Sequence, residues 1–338
     1  MTPKHFINCY VPTQACNFRC NYCYIGQRKE FDNKIFKCLY PMETMQKATT
    51  IERLGGVCIF NLCAGGETLL SKDIIPVIRM LLDNGHNVSI VTNGTISERF
   101  EELLLIPEEL QEFLYIKFSF HYLELIRTNT MEKFWENVKK MKQSPISFSI
   151  DITPCDELIQ YIPEIKRLFE INMDGAMPHI SVARDTTSND LKILSALSKS
   201  EYKKTWSVFD SKKFDYKIDE FLKHHSEYCY AGNYSFSLEL ATGNCRFCDG
   251  APNPEEMNFY NLYDNPDEEI PFREIGEKCP MAHCYNCHAL LTLGTIPELN
   301  TPSYAEMLDR VDNTGRHWLK QKVYDFYSHK IDNKETTI

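Results

Sequence analysis

Three cysteines near the start of the chain, Cys16, Cys20 and Cys23, constrain it more than any other feature. Their Cys-x3-Cys-x2-Cys spacing lets three thiolates wrap one compact loop around a metal centre. No fourth Cys or His follows at zinc-finger spacing, so one coordination position stays open. A structural site closes that position; a reactive one keeps it open. The bland alternatives are a zinc loop or three unligated, buried thiols. The chain holds 14 cysteines, and their clustering separates ligands from filler. Cys229, Cys245, Cys248, Cys279, Cys284 and Cys287 form a second group, whereas Cys9, Cys38, Cys58, Cys63 and Cys155 are scattered. In a reducing compartment, such grouping favours metal binding or catalysis over disulfides.

That compartment is the expected one. The opening MTPKHFINCYVP has too short an apolar stretch for a signal peptide. No apolar run is long enough to cross a membrane, so the chain reads as cytoplasmic with no membrane partner. The net charge of -10 argues against a general nucleic-acid binder, whose affinity would rest on a basic surface.

Hydrophobic periodicity predicts strands at 6–11, 57–63, 88–93, 115–120, 146–151 and 177–183. Helical patterns fall between and after them, at 42–54, 73–84, 97–105, 129–142, 155–170 and 198–209. This α/β alternation implies a parallel sheet with too few units for an eight-stranded barrel. The expected fold is a partial (β/α)6 TIM-like barrel over residues 1–215. Residues 216–338 then make a small α+β domain stapled by the second cysteine group. The stretch SYAEMLDRVDNTGRHWLKQKVYDFYSHKI reads as amphipathic helices covering the edge of the sheet.

Two segments bear on the first cysteine group. The strand at 57–63 runs into Ala64-Gly65-Gly66-Glu67-Thr68, where glycines allow close backbone approach and Glu67 offers a carboxylate to an ammonium group. The strand at 88–93 ends in Thr92-Asn93-Gly94. With Tyr22 as the aromatic residue before the last cysteine, residues 5–185 resemble the radical S-adenosylmethionine (SAM) superfamily. The resemblance implies a [4Fe-4S] cluster on Cys16, Cys20 and Cys23, with its open iron chelated by the amino and carboxylate groups of SAM. It implies that Gly65, Gly66 and Glu67 bind the amino group and that Thr92 and Asn93 lie near SAM. Ser119 then contacts ribose or carboxylate, and His121 faces the same side or is a hydrogen-bonded structural histidine. Asp156, or Thr153, replaces a ribose-binding Asn, and Val182 and Arg184 stand where adenine and carboxylate contacts fall. An electron donor such as flavodoxin or ferredoxin supplies the electron that splits SAM into methionine and a 5′-deoxyadenosyl radical.

In the second group, Cys229 is followed by thirteen residues, Gly243, four residues and Cys248, and Cys284 and Cys287 add a Cys-x2-Cys. This resembles the opening of SPASM and Twitch domains, in the shorter, Twitch-like form. It implies a closed auxiliary [4Fe-4S] cluster on Cys229, Cys248, Cys284 and Cys287, with Cys245 or Cys279 able to displace one of them. A partial second cluster with His283 or His288, or a zinc ribbon, remains open on the residues alone. The expected activity is hydrogen abstraction followed by oxidation or crosslinking, with a ribosomally made peptide as substrate. No leader-binding segment precedes the barrel, which keeps a small molecule such as a sugar or aminocyclitol as the alternative. Cys63 and Cys155 are candidate hydrogen-atom donors, against the reading that both are packing residues. A non-catalytic Fe–S or zinc-binding interaction protein is the rival class. It leaves the Gly65-Gly66-Glu67 turn without a purpose.

Overall fold

A computed structural model describes residues 2–187, 191–248 and 258–333. Six strands form the expected parallel array: β1 (Phe6–Val11), β2 (Ile59–Ala64), β3 (Asn87–Thr92), β4 (Leu114–Ser119), β5 (Ser147–Ile152) and β6 (His179–Ile180). β7 (Ser235–Glu239) then pairs parallel to β1 on its free side, and β8 (Asn244–Arg246) and β9 (Asn258–Asn261) follow antiparallel. Among the described residues this gives one nine-stranded sheet in the order β9-β8-β7-β1-β2-β3-β4-β5-β6. The second cysteine region therefore extends the barrel sheet, and also forms a separate two-stranded antiparallel pair, Tyr228–Cys229 with Glu277–Lys278.

Each strand alternates. On β5, Phe148, Ile150 and Ile152 enter the main apolar core while Ser147, Ser149 and Asp151 face the interior. Parallel strands covered on both faces are normally apolar throughout, so polar alternation here marks a polar barrel interior. The pairing registers Ser237, Asn8, Asn61, Ser89 and Tyr115 as one row across five strands. Asn61 Nδ2 donates to Asn8 Oδ1 at 2.8 Å, and Ser89 Oγ donates to Asn61 Oδ1 at 3.0 Å.

Several boundaries move. The helix expected at 42–54 breaks into Met42–Ala48 and Ile51–Leu54, because Thr50 caps the second piece by accepting from Arg53 N–H. The pattern at 155–170 opens as a tight 3-10 segment, Asp156–Tyr161, before the α-helix Ile162–Asn172. β6 shrinks to two residues because only β5 pairs with it. The C-terminal stretch meets the β5–β6 edge of the sheet through Trp318 and Leu308 and also runs beneath the strands. It forms short helices at Tyr304–Leu308 and Gln321–Tyr327, which pack with Phe6, Ile59 and Tyr115 near the N-terminal ends of their strands. Phe148 N–H donates to Trp318 O, Lys320 N–H donates to Ser147 Oγ, and His179 Nε2 meets Leu308 O. The bottom of the barrel is thereby closed. No described helix is long and apolar enough to cross a membrane.

Candidate active site at the mouth of the barrel

The segment after β1 carries Cys16, Cys20 and Cys23 across the C-terminal edge of the sheet and is fastened to each strand end in turn. Beyond β2, Gly66 N–H donates to Thr13 O at 2.7 Å and Glu67 N–H donates to Ala15 O at 2.9 Å. Beyond β3, Asn93 Nδ2 donates to Asn17 Oδ1 at 2.7 Å, and Asn17 Nδ2 donates to Thr95 Oγ1 at 2.9 Å. Beyond β4, Arg19 N–H donates to Glu124 Oε2 at 2.6 Å, and the Tyr22 hydroxyl meets His121 Nδ1 at 2.7 Å. Beyond β5, Asn21 Nδ2 donates to Glu157 Oε1 at 2.8 Å. Beyond β6, Gln27 Nε2 donates to Arg184 O at 3.1 Å.

Glu67 is the electrostatic centre of this arrangement. Its carboxylate is buried, with 2% exposure, and accepts from Thr92 Oγ1 at 2.6 Å, Leu69 N–H at 3.0 Å and Asn93 N–H at 2.7 Å. All three donors are neutral, so burial pushes the Glu67 carboxyl up despite them. A cationic group is what such a carboxylate lacks, and the ammonium of an amino acid fits that need. Cys16 lies within electrostatic reach of Glu67 and Cys23, and burial raises its thiol to about 11; Cys20 is raised further. Iron taking the place of those thiol protons removes the desolvation problem. The donor set therefore fits a three-thiolate cluster with an amino-acid ligand beside it.

The other expected contacts divide. Thr92 and Asn93 are buried and hold Glu67 and the cysteine loop. His121, held neutral by burial at about 4, has Nδ1 engaged by Tyr22 and packs beneath Phe18. Ser119 sits at the end of β4. Asp156 accepts from Ser195 Oγ on Oδ1 at 2.5 Å and from Ala196 N–H on Oδ2 at 2.7 Å, so both oxygens anchor a loop. Val182 is buried beside Ala183, whose N–H donates to the Tyr202 hydroxyl. Cys63 projects from β2 near Tyr10 and Tyr24. Cys155 is 3% exposed, lines an open groove with Tyr22 and Asn21, and has its thiol pushed up to about 12 by burial.

In the second group, Cys229, Cys248, Cys279 and Cys284 line one cavity, together with His225 and His283. Cys287 opens the helix Cys287–Leu290 and packs in a small apolar cluster with Cys229 and Cys284. Cys245 is a correction. It is fully buried within β8, within electrostatic reach of Tyr263 and Arg53, and is not part of that cavity lining. Cys245 and Cys248 are three residues apart, an odd spacing that an extended backbone turns to opposite faces.

Sequence reading missed the charged groups of the interior. Lys117 on β4 and Lys213 on the helix Lys212–Glu220 both reach Asp151 Oδ2, at 3.2 and 2.7 Å. The signal was Lys117 between the core residues Ile116 and Phe118, and Asp151 between Ile150 and Ile152.

The mouth of this partial α/β barrel thus carries three cysteines and a buried carboxylate. Residues 10–169 match the Radical SAM superfamily. Over 113 residues, 33% of this chain and 36% of the relative, it is 25% identical to an S-adenosylmethionine-dependent nucleotide dehydratase of Selenomonas ruminantium. Over 90 residues, 27% of this chain and 39% of the relative, it is 32% identical to a 7-carboxy-7-deazaguanine synthase of Thermoplasma acidophilum. The chain thus spans well under half the length of these curated relatives. The solved structure of native anSMEcpe with bound AdoMet shares the fold, with a TM-score of 0.53 and 17% identity over 78% of this chain and 80% of that one. The same protein with bound AdoMet and Kp18Cys peptide gives a TM-score of 0.53 and 17% identity over 79% and 80%.

Proposed function

We propose that the chain holds a [4Fe-4S] cluster on Cys16, Cys20 and Cys23, uses SAM to start radical chemistry, and oxidises or crosslinks a peptide substrate. A second [4Fe-4S] cluster on the C-terminal cysteines, in a SPASM/Twitch-like region, completes the reading. Residues 1–215 then form the radical SAM core and residues 216–338 the auxiliary part. When bound, the first cluster and SAM supply a 5′-deoxyadenosyl radical by reductive cleavage of the sulfonium.

The chain's own residues supply binding and order. Glu67 takes the ammonium group of SAM, with Thr92 and Asn93 fixing its carboxylate. Tyr22 and His121 pin the loop that carries the thiolates. Cys155 and Cys63 are the candidates to return a hydrogen atom, and burial, which raises the Cys155 thiol, favours its S–H form. A peptide is favoured because the anSMEcpe structure of the same fold carries one. A flavodoxin or ferredoxin is the electron donor.

The observation that carries this reading is the buried Glu67 carboxylate with only neutral donors, held against the loop of Cys16. The test counts iron and sulfide after anaerobic reconstitution. About eight irons per chain, falling to about four when Cys16, Cys20 and Cys23 are replaced by Ala, support the two-cluster reading. Zinc bound in place of iron contradicts it.

A further inference from the structure

We propose that the barrel interior between the two cysteine groups binds an anionic group of the substrate, a carboxylate or a phosphate, through Lys217 and Arg184 with Lys117 beneath them. This rests on the reading that the mouth of the barrel is the reaction site, and it names the class of substrate that site takes.

Four cations meet in this region. Lys117 and Lys213 share the single oxygen Oδ2 of Asp151. Lys217 stands four residues after Lys213 on the helix Lys212–Glu220, so both lie on one face of it. It is partly buried, within electrostatic reach of Lys117, Asp151, Arg184 and Cys287. Among the described residues it makes no hydrogen bond or ion pair. Arg184 reaches over the Tyr285 ring at 5.3 Å and touches the Tyr285 carbonyl at only 3.5 Å.

Against these four cations the structure sets one carboxylate, Asp151, whose Oδ2 is already shared by Lys117 and Lys213. The Lys217 ammonium and the Arg184 guanidinium have no carboxylate partner among the described residues. Cations drawn out of water without a counter-charge are costly. Burial accordingly brings the Lys217 ammonium down to about 8. An incoming anion removes that imbalance, and a carboxylate or phosphate offers the fork geometry that a guanidinium matches.

The place is right for a substrate. Arg184 is within electrostatic reach of Tyr24 and Arg28, on the helix that begins directly after Cys23, and of Tyr285 and Cys287 in the second group. An anion held by Arg184 and Lys217 therefore lies between the two groups. Further down, the Tyr115 hydroxyl and Ser149 Oγ meet at 2.5 Å, and the C-terminal helices close the floor.

The test is calorimetric titration of the reconstituted protein, with SAM saturating, by inorganic pyrophosphate and separately by succinate. Keeping SAM present removes its own carboxylate from the comparison. Binding of either anion that weakens at least about tenfold in Lys217→Met or Arg184→Gln, but not in the exposed control Lys204→Met, supports the proposal. Pyrophosphate alone assigns a phosphate and succinate alone a carboxylate. Two variants are used so that misfolding of one, judged by its melting curve and iron content, leaves the other informative. No binding at millimolar anion, equal binding by parent and both variants, or binding that SAM abolishes overturns it. Formation of 5′-deoxyadenosine by the parent is read in parallel. Its presence with failed anion binding defeats this proposal alone, and its absence with intact anion binding defeats the radical reading.

Discussion

Gly66 lies so close to Ala15 that a Cβ built on it would stand 1.9 Å from the Ala15 carbonyl oxygen. The turn after β2 and the loop of Cys16 are thus pressed backbone to backbone, and Glu67 N–H donates to that same carbonyl. Nothing flexible is available to yield, since the obstructing atoms are main chain. The glycine pair exists to let the carboxylate of Glu67 and the cysteine loop share one small volume.

Gly66→Ala must therefore move the loop of Cys16, Cys20 and Cys23. The expected result is loss of iron from the first site with the second site retained, read as a fall of about four irons per chain. Gly315→Ala is the control, because a Cβ there meets nothing within 4 Å and its φ of +81° costs only about 1 kcal/mol of stability.

Glu67→Gln keeps the shape of the side chain and removes its charge. A hydrogen bond to a charged group contributes about 1.5–3 kcal/mol, so SAM affinity falls roughly tenfold to a hundredfold in equilibrium dialysis. Thr92→Val leaves the charge and withdraws one donor, with an expected loss of about 1 kcal/mol. Unchanged SAM affinity in Glu67→Gln would remove the amino-group role from that residue.

The cysteines of the second group divide by position. Cys229→Ala, Cys248→Ala and Cys284→Ala lower the iron count of the auxiliary site, whereas Cys245→Ala leaves it unchanged and costs about 1–3 kcal/mol of stability through the small void it creates. Inductively coupled plasma analysis of iron, with a thermal melt of each variant, reads both effects. Loss of iron in Cys245→Ala would restore that residue as a ligand.

Stability carries a pH signature from His86. Its Nδ1 accepts from Cys58 N–H at 3.1 Å and its Nε2 donates to Thr49 O at 2.7 Å, an arrangement made for the neutral ring. Burial lowers it to about 4, against 6.5 in the unfolded chain. Between those values the unfolded state binds more protons, so stability is complete above pH 6.5 and declines as pH falls toward 4. At about 1.4 kcal/mol per unit, the ring withdraws on the order of 3 kcal/mol. His86→Gln shows a shallower decline in urea midpoint over that window; an equal slope contradicts the assignment.

Much of this was legible in the sequence because the strands alternate. FINCYV, ISFSID and VSIVTN announce themselves, and the cysteine spacing with Gly65-Gly66-Glu67 fixes which edge of the sheet matters. What escaped was tertiary. Lys213 lies outside the helical patterns read from sequence, and its partner Asp151 is sixty-two residues earlier. β7 reads as part of a separate module until Ser235 pairs with Phe6. Cys245 reads as a ligand until its strand turns it away. Asp156 reads as free until Ser195, thirty-nine residues on, takes its carboxylate. Each depends on a partner distant in the chain, which no local pattern encodes.

The central claim is that the mouth of this barrel splits SAM. The most direct measurement incubates the reconstituted protein with SAM and dithionite and quantifies 5′-deoxyadenosine by mass spectrometry, beside the variant with Cys16, Cys20 and Cys23 replaced by Ala. The account predicts 5′-deoxyadenosine from the parent and none from the variant. Equal amounts from both, or none from a parent shown to carry a reducible cluster at the first site, would contradict it.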